Sequence, residues 1–194
     1  MSLEVLLPVV VASISVIGWF VTYSLSKKRE DQTRRLEKTI RHLERQIEEF
    51  YGPLFNLVHQ IVIANHVQQR ILSGSSKGKL SDEQYLRVRR FFQERFFFPI
   101  HAEITQILKN RLHLVEGANM PPEFYQYLKH SIQEQSQSML WNNQQIDTSF
   151  VQGEPYPNEL YQVLKESLTR LMAEYAKYSR ALEPGVKELP TEPK

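Results

Sequence analysis

The side chains of this chain that could hold a metal ion or carry a proton are its histidines and carboxylates. Helical di-metal proteins use Glu-x-x-His pairs, and none occurs here. The triplet His101-Ala102-Glu103 matches the His-x-Glu step of zinc deaminases, but the partnering Pro-Cys-x-x-Cys step is absent. We therefore predict no metal site and no cofactor. The histidines are His42, His59, His66, His101, His113 and His130.

Nucleophilic and phosphate-binding chemistry has no support in the sequence either. The absence of cysteine excludes disulfide bonds, thiolate ligands and cysteine nucleophiles. No His-Glu-x-x-His motif occurs. The segment 73–78, SGSSKG, lacks the spacing of a phosphate loop, and no strand precedes it. We predict that the protein is not an enzyme and has no small-molecule ligand.

Arginines and phenylalanines are mixed over residues 87–98, RVRRFFQERFFF. On a helix we expect Phe92 and Phe96 to point inward while the arginines face solvent. The alternatives are a contact surface for protein or lipid and a stacking platform for nucleic acid. The net charge of only +2 disfavours nucleic acid, so none is expected. A possible contact surface consists of the other phenylalanines of this segment and two aromatic residues that precede a Gly-Pro pair. These residues are Phe50, Tyr51, Phe91, Phe97 and Phe98.

An uncharged segment predicts a transmembrane anchor over residues 1–26. Val5–Leu25 holds 21 residues without a charge, and a helix of that length spans about 31 Å, close to the bilayer hydrocarbon thickness. Trp19 and Tyr23 lie toward its far end, as interfacial aromatic residues do. A cleaved signal peptide would carry positive charge before the apolar run, whereas Ser-Lys-Lys-Arg follows it here. The positive-inside rule then predicts one crossing of the inner or plasma membrane, with the N-terminus outside and the remainder cytoplasmic.

Residues 27–47 are predicted to form a basic helical stalk beside the anchor. From Lys27 to Arg45 the chain has eight basic and four acidic residues. Anionic lipid attracts basic residues by about 1 kcal/mol each very near the surface and less beyond a Debye length. The stalk is therefore either an ordinary solvated helix face or a lipid-recognition site. The basic residues nearest the expected membrane are Lys27, Lys28, Arg29, Arg34 and Arg35.

Apolar residues recur at alternating steps of four and three from the stalk to Ile61. This a/d heptad pattern forms a narrow stripe that needs a partner. The partner is either the rest of this chain or, for the proximal part, a second copy. The proximal part, predicted as an oligomerisation stripe, consists of Leu36, Ile40, Leu43 and Ile47.

Four amphipathic segments predict an all-α protein in which a cytoplasmic antiparallel four-helix bundle, residues 48–183, follows the anchor. Ser81 and Gln84 form a capping box at the start of the second segment. Polar loops with glycine or proline separate the segments. Residues 184–194 are predicted to be a disordered tail.

The first two helices of the predicted bundle are long, and each contains a proline. Gly52-Pro53 lies in the first and Pro99 in the second. Each proline is expected to kink a continuous helix, or Pro53 begins a new helix after a short break. By helix rise each proline lies roughly 27–29 Å from the connecting turn, which places both at one level of the bundle.

One span, a charged helical segment and a short motif follow each other here; the motif is Glu49-Phe50-Tyr51-Gly52-Pro53-Leu54. This combination resembles a loose group of uncharacterised bacterial membrane-anchored proteins that contain an FYGPL-type segment. The resemblance implies a bacterial inner-membrane protein and supplies no catalytic residues. We expect a non-enzymatic scaffold whose partners are membrane lipid and either a protein or a second copy. The alternative is a regulated membrane effector of stress or phage defence, whose bundle senses a signal and whose spans then assemble.

Overall fold

Every element that the structure describes is helical. The computed structural model describes residues 3–73, 80–117 and 120–182, with the side chains of residues 3–14, 16 and 17 outside the description. The predicted all-α class and its four helical segments are confirmed. The helices are α1 (Leu3–Gln46), α2 (Gly52–Leu72), α3 (Asp82–Phe92), α4 (Phe98–Arg111), α5 (Pro122–Gln144) and α6 (Leu160–Ala181). The first π-turn (Ile47–Tyr51) joins α1 to α2, the second π-turn (Gln93–Phe97) joins α3 to α4, and a 3-10 turn (Leu112–Leu114) follows α4.

The chain divides into two compact units. The first contains Met1–His42 with Tyr175–Lys194, and the second contains Leu43–Glu174. The second unit begins at the C-terminal end of α1 and holds both π-turns, all of α2 to α5 and the first part of α6. It therefore contains most of the predicted bundle.

The first unit contains the part of α1 that includes the predicted anchor and most of the basic stalk. The stalk's basic side chains are exposed, and Arg34 forms an ion pair with Glu30 one turn away. Across the residues whose side chains are described, no helix offers an apolar stretch long enough to cross a membrane. Most of Val5–Leu25 lies outside those residues, and so does the predicted tail, 184–194.

The helical path continues through Gly52 and Pro53 because a wider turn precedes them. Tyr51 and Gly52 keep right-handed helical backbone angles, and the Gly52 amide donates to the Ile47 carbonyl five residues earlier. Pro53 lies in the first turn of α2, where its missing N–H costs least. The structure thus combines the two expected alternatives: the backbone stays helical, and the proline starts the next α-helix after one π-turn.

Gly52 is required by a close approach rather than by its backbone angles. Its φ of −63° and ψ of −54° suit any residue. A Cβ at this position, however, would lie 2.5 Å from the Ile47 carbonyl oxygen. That oxygen belongs to the backbone of the π-turn and cannot rotate away as a side chain would. The first π-turn and the absence of a side chain at Gly52 therefore depend on each other.

The second π-turn repeats this arrangement before Pro99. The Phe98 amide donates to the Gln93 carbonyl, and Pro99 lies in the first turn of α4. Phe92 is buried, as predicted. The prediction that Phe96 points inward is wrong, since its side chain is 41% exposed. The wider turn changes which residues share a helix face. Phe96 therefore does not lie on the buried face that contains Phe92.

The core of the second unit is formed by α2, α4, α5 and α6. Its residues enclose a gap of only about 10 Å³, room for one water at most. Each fully buried Leu or Phe contributes about 1.5–3 kcal/mol through removal of apolar surface from water. The side chains around the gap are Leu54, Val58, Ile104, Leu108, Phe124, Tyr127, Leu160 and Leu164.

Phe50 and Tyr51 are core residues and do not form the contact surface that their position suggested. Their side chains are 0% and 2% exposed, respectively. The Phe50 ring packs edge-on against Phe124, with 5.9 Å between ring centroids. The two residues follow each other in the π-turn, whose wide backbone lets both pack inside. They offer no exposed area to a partner.

The predicted oligomerisation stripe is largely covered by the chain itself. Ile40 and Leu43 are buried, whereas Leu36 and Ile47 are half-buried. The alternative in which the stripe packs on its own chain therefore accounts for the central pair. A role in self-association stays a prediction for the half-buried pair.

The segment after α4 holds the first π-turn in place. The Glu116 amide donates to the Tyr51 hydroxyl at 3.1 Å, and Gln46 Nε2 donates to the Leu114 carbonyl at 2.9 Å. Burial raises the pKa of Tyr51, which keeps this phenol neutral and able to donate as well. Arg111 and Glu49 add an ion pair at 2.9 Å. Together these contacts satisfy polar groups that the irregular turn would otherwise leave buried without partners.

Replacement of Gly52 by alanine is expected to destabilise the fold. The new methyl group would clash with the Ile47 carbonyl, and overpacking of this kind costs about 1–3 kcal/mol. Gly18→Ala is the matched control, because a Cβ there meets nothing within 4 Å. Thermal unfolding of both variants by circular dichroism measures the difference. Equal midpoints for the two variants would contradict the proposed role of Gly52.

Candidate functional site

Helices α4 and α5 bring two histidines and one glutamate together in the second unit. His101 lies on α4 shortly after Pro99, and His130 and Glu134 lie one turn apart on α5. Glu134 Oε2 lies 3.2 Å from His101 Nε2 and 3.7 Å from His130 Nε2. One ligand atom from each of the three residues lies within 4.8 Å of the others. In the part of the chain that the structure describes, no other group of three potential ligands is this compact. We call it the His–Glu cluster.

Both histidines are held by hydrogen bonds on the ring nitrogen that faces away from Glu134. His101 Nδ1 lies 2.6 Å from the Tyr127 hydroxyl, and both groups are buried. His130 Nδ1 lies 2.7 Å from the Glu154 backbone carbonyl. A carbonyl can only accept, so His130 carries its proton on Nδ1. Nε2 is therefore the ring nitrogen that faces Glu134.

Glu134 is the charged centre of the cluster. Burial acts to raise its pKa, but the hydrogen bond and charge of His101 and the charge of His130 outweigh burial and lower it. Gln93 Nε2 donates to Glu134 Oε1 at 3.4 Å and lowers the pKa further. The carboxylate therefore stays ionised. Gln93 belongs to the second π-turn, so this irregular turn positions one of the cluster's supporting groups.

Hydrogen bonds and an ion pair hold the loop between α5 and α6 against α5, beside the cluster. The Gln133 side chain makes two hydrogen bonds of 2.7 Å, to the Gln152 carbonyl and from the Glu154 amide. Lys129 forms an ion pair with the Glu154 carboxylate at 3.2 Å. These contacts place the Glu154 carbonyl against His130. They also bring Tyr156, two residues after Glu154, against α5, where its ring lies 5.5 Å from the His130 ring.

An open pocket of about 340 Å³ adjoins the His–Glu cluster. The Tyr156 hydroxyl is buried and makes no hydrogen bond to any other described residue. Burial raises the pKa of both Tyr156 and Tyr127, so both phenols stay protonated. The pocket therefore places a carboxylate and two imidazoles beside apolar and aromatic walls. Its walls are Ile61, Val62, Asn65, Phe97, His101, His130, Glu134, Tyr156, Asn158 and Tyr161.

Of the residues that the sequence suggested for contacts, Phe97 lies at this pocket, Phe98 is half-buried, and Phe91 is exposed. His101 pairs with Glu134 and not with Glu103, which is exposed two residues away. His59 and His66 are also exposed and do not join the cluster.

One local feature of the sequence indicates part of the cluster. His130 and Glu134 are four residues apart and therefore share a helix face. The third member, His101, has no local relation to them. Only the packing of α4 on α5 brings it within reach.

Two tyrosine substitutions are expected to have different effects on stability. Tyr127→Phe removes the buried partner of His101 Nδ1, which costs about 1–3 kcal/mol. Tyr156→Phe removes a buried hydroxyl without a described partner, so stability should stay equal or rise. Chemical denaturation of the full chain measures both. Loss of stability in Tyr156→Phe equal to that in Tyr127→Phe would contradict the assigned hydrogen bonds.

Comparison with known proteins finds no matching family model, no similar curated protein and no similar solved structure. The chemistry of the His–Glu cluster is therefore inferred from its own atoms, distances and burial. Those support a site that holds either a shared proton or a cation between Nε2 and Oε2 atoms.

Proposed function

We propose that this protein is a single-pass, membrane-anchored helical scaffold whose cytoplasmic bundle acts without catalysis by binding a partner. One observation carries the proposal. Helix α1 contains both the uncharged segment Val5–Leu25 and the basic segment that follows it, within one uninterrupted run from Leu3 to Gln46. An apolar helix of bilayer length with lysine and arginine at one end is typical of a single membrane span.

The distribution of charge supports the proposed orientation and a lipid partner. Lys27, Lys28 and Arg29 follow the uncharged segment directly, whereas Glu4 is the only charged residue before it. Basic side chains stay on the cytoplasmic side, where anionic lipids attract them. The proposed location is therefore the inner or plasma membrane, with the N-terminus outside.

Exposed apolar side chains in the second unit support a protein partner or a second copy. On α2, Ile63, Val67 and Ile71 follow each other at steps of four, so that they form a stripe on one face, and all three are exposed. Phe91 on α3 is exposed as well. Apolar residues grouped on a surface commonly mark an interaction site.

The second candidate is a regulated membrane effector, and the pocket beside the His–Glu cluster is the observation that favours it. Half-enclosed pockets with a few converging polar groups are typical ligand sites. The two π-turns flank helices of the same unit, and such turns occur frequently at functional sites. A ligand in the pocket would then be the signal to which the spans respond.

The anchor is tested by fractionation of cells that express the full chain with a C-terminal tag. We expect the protein in the membrane pellet after alkaline carbonate extraction, and a variant without residues 1–26 in the soluble fraction. Protease should spare the tag in spheroplasts and remove it in everted vesicles, since the bundle is proposed to face the cytoplasm. Extraction of the full chain by carbonate, or cleavage of the tag in spheroplasts, would refute the anchor or its orientation.

Exchange of the anchor separates the two candidate functions. In a scaffold, an unrelated single span in place of Val5–Leu25 should preserve the oligomeric state, and overexpression should not arrest growth. In an effector, the native segment should cause depolarisation or growth arrest that the unrelated span abolishes. A potential-sensitive dye and the mass of the detergent-solubilised complex distinguish these outcomes.

A further inference from the structure

We propose that the His–Glu cluster is a binding site for one divalent transition-metal ion of the zinc class. His101 Nε2, His130 Nε2 and Glu134 Oε2 are the ligand atoms. The proposal goes beyond the scaffold function and does not depend on the membrane anchor, because all three ligands lie within the second unit.

The ligand types suit this class of ion. Two imidazoles and one carboxylate form a donor set that Zn²⁺ and related transition ions accept, and three protein ligands leave one position for water or substrate. Mg²⁺ and Ca²⁺ prefer oxygen ligands throughout, so they are expected to bind poorly here. Imidazole as the majority ligand therefore selects against the abundant hard cations.

The distances are close to those of a bound state. A tetrahedral ion with ligand bonds of about 2.0–2.1 Å holds its ligand atoms about 3.3 Å apart. Glu134 Oε2 already lies 3.2 and 3.7 Å from the two Nε2 atoms, and the three ligand atoms fall within 4.8 Å of one another. The two distances to Glu134 Oε2 therefore already approach the separation that a bound ion needs.

The hydrogen bonds around the histidines are those that metal ligands need. A ligating histidine almost always uses its second ring nitrogen to bond a carbonyl, a carboxylate or a water, which fixes the ring and its tautomer. The Glu154 carbonyl has this role for His130, and the Tyr127 hydroxyl takes the equivalent position at His101. Gln93 restrains the other oxygen of Glu134. Each of the three ligands thus has its own supporting contact.

The orientation of His130 leaves its Nε2 atom available to an ion. Its Nδ1 donates to the Glu154 carbonyl, so Nε2 faces Glu134 Oε2 at 3.7 Å. A cation between these two atoms is attracted by both, since each offers a lone pair when it carries no proton. The adjoining pocket gives the ion access and leaves room for a water or ligand at the open position.

Titration of metal-free full-length protein with Zn²⁺ by calorimetry tests the site. We expect one ion per chain with a Kd in the micromolar range or below. Glu134→Gln, which keeps the shape of the side chain, and His130→Ala should each weaken binding by at least about 100-fold, and Tyr127→Phe by about 10–100-fold. His66→Ala is the control, since this exposed histidine lies outside the cluster, and it should leave the Kd unchanged.

Co²⁺ supplies a second measurement that depends on coordination. The full chain should show the intense visible bands of four-coordinate Co²⁺, and Glu134→Gln should lose them while circular dichroism shows an intact helical fold. Excess Mg²⁺ should not displace the ion. Absence of Zn²⁺ binding in the full chain, or a Kd that Glu134→Gln and His130→Ala both leave unchanged, would overturn the proposal and assign any uptake to adventitious surface histidines.

Discussion

Proline has no amide hydrogen, so within a helix it cannot donate a hydrogen bond to the carbonyl four residues earlier. The second unit of this protein contains two such prolines within helical runs. Before Pro53 and before Pro99 the backbone widens into a π-turn whose closing amide bonds five residues back. The first π-turn packs against α4 and the second against α2. The two π-turns thus lie in one packed group of helices. Each π-turn packs against the α-helix that follows the other π-turn.

The π-turns also decide which polar groups meet. The first buries Phe50 and Tyr51 together and aims the Tyr51 hydroxyl at the Glu116 amide. The second presents Gln93 to the carboxylate of Glu134 and Phe97 to the adjoining pocket. Side chains in and beside the π-turns therefore bond polar groups of distant segments, and this matters because buried polar groups without partners cost free energy.

Much of the helical architecture could be predicted because its causes are local. The capping box at Ser81 and Gln84 needs only a spacing of three residues, and both of its hydrogen bonds are present. Apolar periodicity predicted that Phe92 is buried. The same periodicity wrongly predicted that Phe96 is buried. A π-turn changes which residues share a helix face, and the spacing of apolar residues does not reveal it. The same turn type explains why Phe50 and Tyr51, expected at a surface, lie in the core.

The sequence by itself determined the helical class, the approximate ends of the helices and the places where proline interrupts them. These follow from side-chain entropy, capping and the missing proline amide, all of which act within a few residues. Tertiary structure alone decided that His101 meets His130 and Glu134, and that Tyr127 and Glu154 hold the two rings. Such a cluster depends on the rotation and register of two separate helices to within about an ångström. That register is set by packing and by the π-turn before Pro99, not by the spacing of residues along the chain.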